Sequence, residues 1–269
     1  MEDATSSSER TLLVNGVSGA QLLVALATSV GLAIPAGFAT AYGLPPLASS
    51  WGEIDRLAAV IALEVYLAII AGHVIAFGGL KRLVDCVRLR AATSRDIVAG
   101  LAVLAVALIA AAVLYLVLSP VVWPLSSVRD ALLWVGADGG RLADADPILF
   151  ILAAGRAAVV APFAEELWFR GALFGWVRRW VPAYATTLIT ATLFALAHPL
   201  PVLWPGAFAF GIGAAWFRER SDSVTPFVIM HIINNVALIA ISYWVTGWNV
   251  PDLFGPASAM LSTTAEPMV

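Results

Sequence analysis

Cysteine is nearly absent: Cys86 is the single one in 269 residues, which excludes an intrachain disulfide and any metal site built on several thiolates. In its basic stretch it reads as an inert thiol, with S-acylation as its one functional alternative. Charge is scarce too, at 12% of the chain with a net of −3. No basic patch with interleaved aromatics occurs, so nucleic acid is not an expected partner. Lysine occurs once against fourteen arginines, and with abundant alanine and valine this is the usage of a high-GC, bacterial genome. The N-terminus, MEDATSSSER, lacks the basic n-region of a secretory signal; no cleavage is expected, and residues 1–16 read as a mobile segment before a retained span. There is no internal repeat, no low-complexity tract beyond the first residues, and no polar linker long enough to separate two soluble domains.

What the chain has in excess is apolar surface, at 61% hydrophobic residues and a mean hydropathy of +0.89. That balance belongs to a membrane protein. Seven apolar runs approach the roughly 20 residues of helix that a hydrocarbon core of about 30 Å requires: Val17 to Leu44, Leu57 to Leu80, Ile97 to Leu118, Ile148 to Trp180, Ala183 to His198, Val202 to Phe217 and Pro226 to Trp248. The expected fold is therefore an all-α polytopic membrane helix bundle of seven transmembrane helices, with a re-entrant or eight-span version open because the fifth and sixth runs are short and the long fourth can extend beyond the membrane or break at Pro162. The runs lack the alternation of a barrel strand. Lys81, Arg82, Arg88, Arg90 and Arg95 crowd the second loop, Arg178 and Arg179 the fourth, and Arg218 and Arg220 the sixth. The positive-inside rule then puts the N-terminus in the cytoplasm and the protein in the bacterial plasma membrane. Residues 119–147, containing VRDALLWVGADGG, have room for a short interfacial helix. The chain divides into the segment 1–16, N-terminal helices over 17–146, a core over 147–250 and a tail over 251–269.

Ionisable groups within spans are costly unless they face the bundle interior or water, so each is a candidate for function. They are Glu64 and His73 in the second span, Arg156, Glu165, Glu166 and Arg170 in the fourth, His198 ending the fifth, and His231 with Asn234 and Asn235 in the seventh. Glu166 and Arg170 stand four apart with the acid first, the better order for an ion pair. Glu165 is rotated about 100° away and keeps a carboxylate that this pair does not satisfy, the kind of group that proton abstraction from water requires. His231 and Asn235 repeat the four-residue spacing. At 1.5 Å per residue, Glu165 lies ~20 Å from Arg178, His198 ~24 Å from Pro182, and His231 to Asn235 ~15 to 21 Å from Ser221. Three spans thus bring polar groups to one level.

These residues also form a three-part signature: EELWFR (Glu165 to Arg170) matches EExxxR, FALAH (Phe194 to His198) matches FxxxH, and HIINN (His231 to Asn235) matches HxxxN. Together they resemble the CAAX protease and bacteriocin-processing family, which includes the type II CAAX prenyl endopeptidases. The resemblance implies an intramembrane endopeptidase acting on a membrane-embedded or membrane-associated peptide. It casts Glu165 as general base on a water nucleophile, His198 as the group that orients this water, and His231 and Asn235 as the donors that stabilise the oxyanion. Glu166 and Arg170 are then supporting groups, and Asn234 is the alternative to Asn235. Two chemistries stay open: water activated directly by glutamate, or a Zn²⁺ held by Glu165, His198 and His231 with an open fourth position. The prenyl specificity of eukaryotic members is not carried over.

Duller readings stand beside these. Arg156 snorkels or pairs locally, with substrate binding as its alternative. Glu64 and His73, nine apart, are satisfied interior residues, or else line a proton path or gate. GVSG (Gly16 to Gly19) has the form of a rhomboid serine motif but lacks an upstream histidine-bearing span, and neither HExxH nor GxGD occurs. The alternative from another class is a non-enzymatic transporter, or an immunity protein, that uses the buried polar residues as a ligand or ion site.

Overall fold

A computed structural model describes residues 17–43, 51–118, 147–198 and 200–246, and every regular element among them is helical. The helices are α1 (Gly19–Gly43), α2 (Trp51–Ala76), α3 (Leu80–Val87), α4 (Ser94–Leu118), α5 (147–177), α6 (Ala183–Leu196), α7 (Trp204–Ser221) and α8 (Thr225–Thr246), with a 3₁₀ turn at Pro201–Leu203. The expected mobile N-terminal segment, the interfacial helix within 119–147 and the tail over 251–269 lie outside the described residues.

Local chemistry sets several boundaries. Ser18 and Gln21 cap α1 reciprocally: the Ser18 hydroxyl accepts the Gln21 N–H at 3.1 Å, while the Gln21 side chain accepts the Ser18 N–H at 2.8 Å. Thr93 and Asp96 repeat the device at the start of α4, a capping box in each case. Gly78 and Gly79 hold φ of 72° and 119°, in the left-handed region open to glycine, and there the chain bends by 93° from α2 into α3. The stretch expected to be a basic loop is therefore partly helical: α3 turns Leu83 and Val87 inward and leaves Lys81 and Arg82 exposed. Its mixed charges hide this amphipathic turn from a reading of apolar runs. Cys86 sits half-buried on this helix.

All seven apolar runs become helices, but seven crossings do not follow. Among the described residues, two helices can cross a membrane by length and composition (Gly19–Gly37 and Ser94–Leu118), or three if the bent pair Val60–Ala76 and Leu80–Val87 is one span, and Ala183–Leu196 is apolar but shorter. The reasons are local. α5 is cut into short pieces by two π-helical segments, and α7 carries Arg218, Glu219 and Arg220 at its end. The apolar side chains that remain exposed, such as Leu23, Val98, Ile109 and Leu116 on α1 and α4, form the outward surface of an integral membrane protein, for which lipid is the natural solvent.

α5 runs through the middle, packed against α2, α3, α6, α7 and α8. One apolar core lies on one side of it, joining Phe169 and Leu173 to Leu104, Phe194, Phe210, Phe227 and Met230. A second joins Leu167 and Ala172 to Val17, Phe77, Leu83 and Val87. The basic connections gather at one end. Asp222, in the left-handed conformation that closes α7, pairs with Arg90 and Arg218 at 3.1 and 3.2 Å and stands 3.7 Å from Arg88, while Arg178 pairs with Glu219 at 3.1 Å. At this end too, Arg179 donates to the Val17 carbonyl at 2.6 Å.

The contact between α3 and α5 is tight enough to test. A Cβ at Gly171 would lie 2.9 Å from Cβ of Val87, which is fully buried. Gly171→Ala is expected to destabilise the protein by about 1–3 kcal/mol through overpacking, read as a lower unfolding midpoint in detergent, and Gly171→Ala/Val87→Gly, which removes the opposing Cβ, is expected to show a coupling between the two sites that non-contacting pairs lack.

Candidate active site

The polar residues of α5 are presented by an irregular rod. An α-helical piece, Ala161–Glu166, lies between the π segments Arg156–Val160 and Leu167–Leu173. In the first π segment the Ala161 N–H bonds the Arg156 carbonyl, five residues back. The next such bond would run from residue 162 to Ala157, but Pro162 has no N–H to give. The Ala157 carbonyl instead accepts the Asn235 side-chain amide at 2.9 Å, so α8 supplies the donor that proline withholds. Pro162 therefore does not break the rod, as the eight-span version required; the π turn absorbs it.

Glu166 is fully buried and holds two partners on one oxygen. Its Oε1 accepts Arg170 Nη1 at 3.0 Å and lies 2.9 Å from His231 Nδ1. Because a carboxylate only accepts, Nδ1 carries the proton of that bond. Nε2 of His231 then faces Oε2 of Glu165 at 3.8 Å. Arg170, also fully buried, places its guanidinium carbon 4.2 Å from the centre of the Phe194 ring, and its Nη2 is 3.5 Å from the Gly211 carbonyl. A buried ion pair of this kind costs much to break from one side, since the survivor is left as an unmatched charge.

Glu165 is the more open of the two acids, its side chain 21% exposed, and its Oε1 accepts the Tyr66 hydroxyl at 3.1 Å. His198 sits just past the end of α6. Its Nδ1 lies 2.9 Å from the Phe194 carbonyl, an acceptor that again assigns the proton to Nδ1 and leaves Nε2 as the acceptor. Trp204 pins the same turn by donating to the His198 carbonyl at 3.0 Å. The rings of His198 and His231 both pack on Phe194, with centroids 5.0 and 5.9 Å away. Asn234 donates to the Asn235 side-chain oxygen at 3.2 Å.

The structure thus brings Glu165, Glu166, Arg170 and His231 into direct contact or near contact, sets His198 and His231 against one aromatic ring, and ties Asn235 to the π turn that follows Arg156. It does not bring His73 to them: that side chain is buried edge-on to Trp168 at 5.3 Å, its Nδ1 2.7 Å from the Ile69 carbonyl. Glu64 is half-buried on α2. Among the described residues no group of three or more His, Cys, Asp and Glu side chains is placed to hold a metal ion. Sequence reasoning does not find Tyr66, since nothing in its spacing points to Glu165 ninety-nine positions away. Nor does it find the contact between Glu166 and His231, which depends on how α5 and α8 are rotated about their axes.

Residues 147–237 match the model of a protein family described as type II CAAX prenyl endopeptidase Rce1-like. The matched stretch covers α5 to α7 and the first part of α8, and contains every residue of the three-part signature. At the level of the family it supports a CAAX-type intramembrane endopeptidase, a class that acts on membrane-associated peptides or proteins. No curated protein and no solved structure matches the chain.

Arg170→Met is expected to destabilise the protein by about 3–5 kcal/mol, because Glu166 keeps its charge without a counter-ion. Glu166→Gln/Arg170→Met removes both charges while leaving an acceptor for His231, and is expected to regain most of that loss when unfolding midpoints are compared in the same detergent.

Proposed function

We propose that this protein hydrolyses a peptide bond of a membrane-associated protein or peptide, with Glu165 as the general base on water. The observation that carries this reading is the pairing of Glu165 with His231, whose ring orientation is dictated by Glu166. Oε2 of Glu165 and Nε2 of His231 are 3.8 Å apart, too far for a hydrogen bond and close enough that one water reaches both at ordinary bond lengths.

In the proposed reaction His198 accepts one hydrogen of this water through Nε2 and orients its lone pair. Glu165 takes the other proton as the water oxygen attacks the carbonyl carbon. The negative charge then develops on the former carbonyl oxygen. The step requires a proton on each nitrogen of His231: Nδ1–H stays bound to Glu166 and Nε2–H is offered to that oxygen. Asn235 uses one amide hydrogen on the Ala157 carbonyl and has a second for the same oxyanion. Donors held in place before the charge forms lower the barrier without reorganisation. The C–N bond then breaks, and the proton held by Glu165 passes to the leaving amine. Tyr66 positions the base, and Glu166 with Arg170 positions His231. No step passes through a metal. The protein acts in a bacterial plasma membrane with its arginine-rich end in the cytoplasm, in line with the positive-inside rule.

Glu165→Gln is expected to lower turnover by at least about 10³-fold, seen as the loss of a defined set of cleaved peptides when membrane and secreted peptides of cells carrying wild type or variant are compared. Unchanged peptide profiles with Glu165→Gln and His198→Ala, both normally inserted, would sink the peptidase reading. Tyr66→Phe is expected to reduce kcat about tenfold with little change in KM, the effect of losing one hydrogen bond to a charged group. Cleavage by the purified protein is expected to survive exhaustive chelation with no zinc found by elemental analysis; loss on chelation and recovery with zinc would overturn the metal-free step.

A further inference from the structure

Arg156 is the ionisable group of α5 that the reaction leaves unused. A half-buried guanidinium in an apolar bundle is costly unless something neutralises it. Its Nε is buried and has no hydrogen-bond partner.

The π turn decides where this side chain goes. Arg156 and Glu165 are nine residues apart, which on an uninterrupted α-helix is about 900°, placing them on opposite faces of the rod. The segment Arg156–Val160 inserts one residue into a turn, setting the phase back by about 100° and bringing the two to within ~80° of one another. Contacts agree with that rotation. The π turn packs against both α2 and α8. Its residue Ala157 is bonded to Asn235, and Arg156 lies close enough to Tyr66, the hydroxyl donor to Glu165, to act on it electrostatically. The π turn thus carries the Arg156 guanidinium round toward the side of the rod that presents Glu165.

We infer that Arg156 is a specificity residue of this site, which binds a carboxylate carried by the peptide substrate. The inference rests on the peptidase reading. A guanidinium fork matches a carboxylate in shape and charge, and the buried Nε of Arg156 is a donor still to be matched. Two parts of a peptide carry that chemistry, the C-terminal carboxylate and an acidic side chain, and the test separates them.

The test measures binding without turnover. The full chain bearing Glu165→Gln, in detergent micelles, is titrated with a dansylated pentapeptide of alanine and leucine in three forms: free acid, C-terminal amide, and the amide with glutamate at its centre. The expected result is that one or both carboxylate-bearing forms bind at least about fivefold tighter than the neutral amide, and that Arg156→Gln in the same background reduces the difference to under about twofold. Preference for the free acid identifies the C-terminal source, and preference for the central glutamate identifies the side-chain source. Arg156→Lys keeps the charge without the fork and is expected to retain part of the preference, which keeps the test intact where Arg156→Gln fails to fold. Equal binding of all three forms, binding of none, or a preference that survives Arg156→Gln overturns the inference. Cleavage is scored separately with Glu165 present, so failure to cleave a peptide that binds through Arg156 counts against the peptidase reading alone.

Discussion

One carboxylate oxygen, Oε1 of Glu166, holds the guanidinium of Arg170 on one side and the imidazole of His231 on the other, with both carboxylate and guanidinium removed from solvent. The two bonds do different jobs. The bond to Arg170 stays within α5 and neutralises a charge that the apolar interior would otherwise reject. The bond to His231 crosses to α8 and sets the rotation of that helix as well as the proton position on the ring. Arg170 extends the constraint to α6 through Phe194 and to α7 through the Gly211 carbonyl. Four helices are therefore registered on one charge pair, and the placement of Glu165 against His231 follows from it.

The irregular backbone of α5 belongs to the same economy. In an apolar surrounding every carbonyl needs a donor, and a proline just after a π turn leaves one without. Asn235 supplies the missing hydrogen, so a group of the candidate site is also part of what allows the rod to remain continuous. π segments recur where helices carry function because the extra residue turns side chains to faces that a regular helix would deny them. Here the consequence is that Arg156 and Glu165 are turned toward one side of the rod.

The sequence makes the covalent logic of single helices legible and leaves the relations between helices obscure. Glu166 and Arg170 can be paired from their spacing, and the seven apolar runs can be read as helices, because both depend on a local period. The number of crossings cannot be read the same way, since an apolar run does not reveal that α5 is interrupted or that α7 ends in charge. α3 is hidden by its mixed composition, with Leu83 and Val87 turned inward beneath lysine, arginine and aspartate. Tyr66 carries no signal beyond being polar in an apolar run. The link between Glu166 and His231 depends on a rotation angle that no spacing encodes, and it changes the standing of Glu166 from partner of Arg170 to the group that orients a site histidine.

The hydrogen bond from Arg179 to the Val17 carbonyl spans 162 positions. During translation at about 5–20 residues per second, α1 and α2 emerge early and can dock through Thr28 and Gly72, but the anchor for the chain's entry into α1 is made roughly 5–20 s later. That end of the first helix gains its anchor only once the fourth apolar run has left the ribosome, so this contact is a late step of biogenesis.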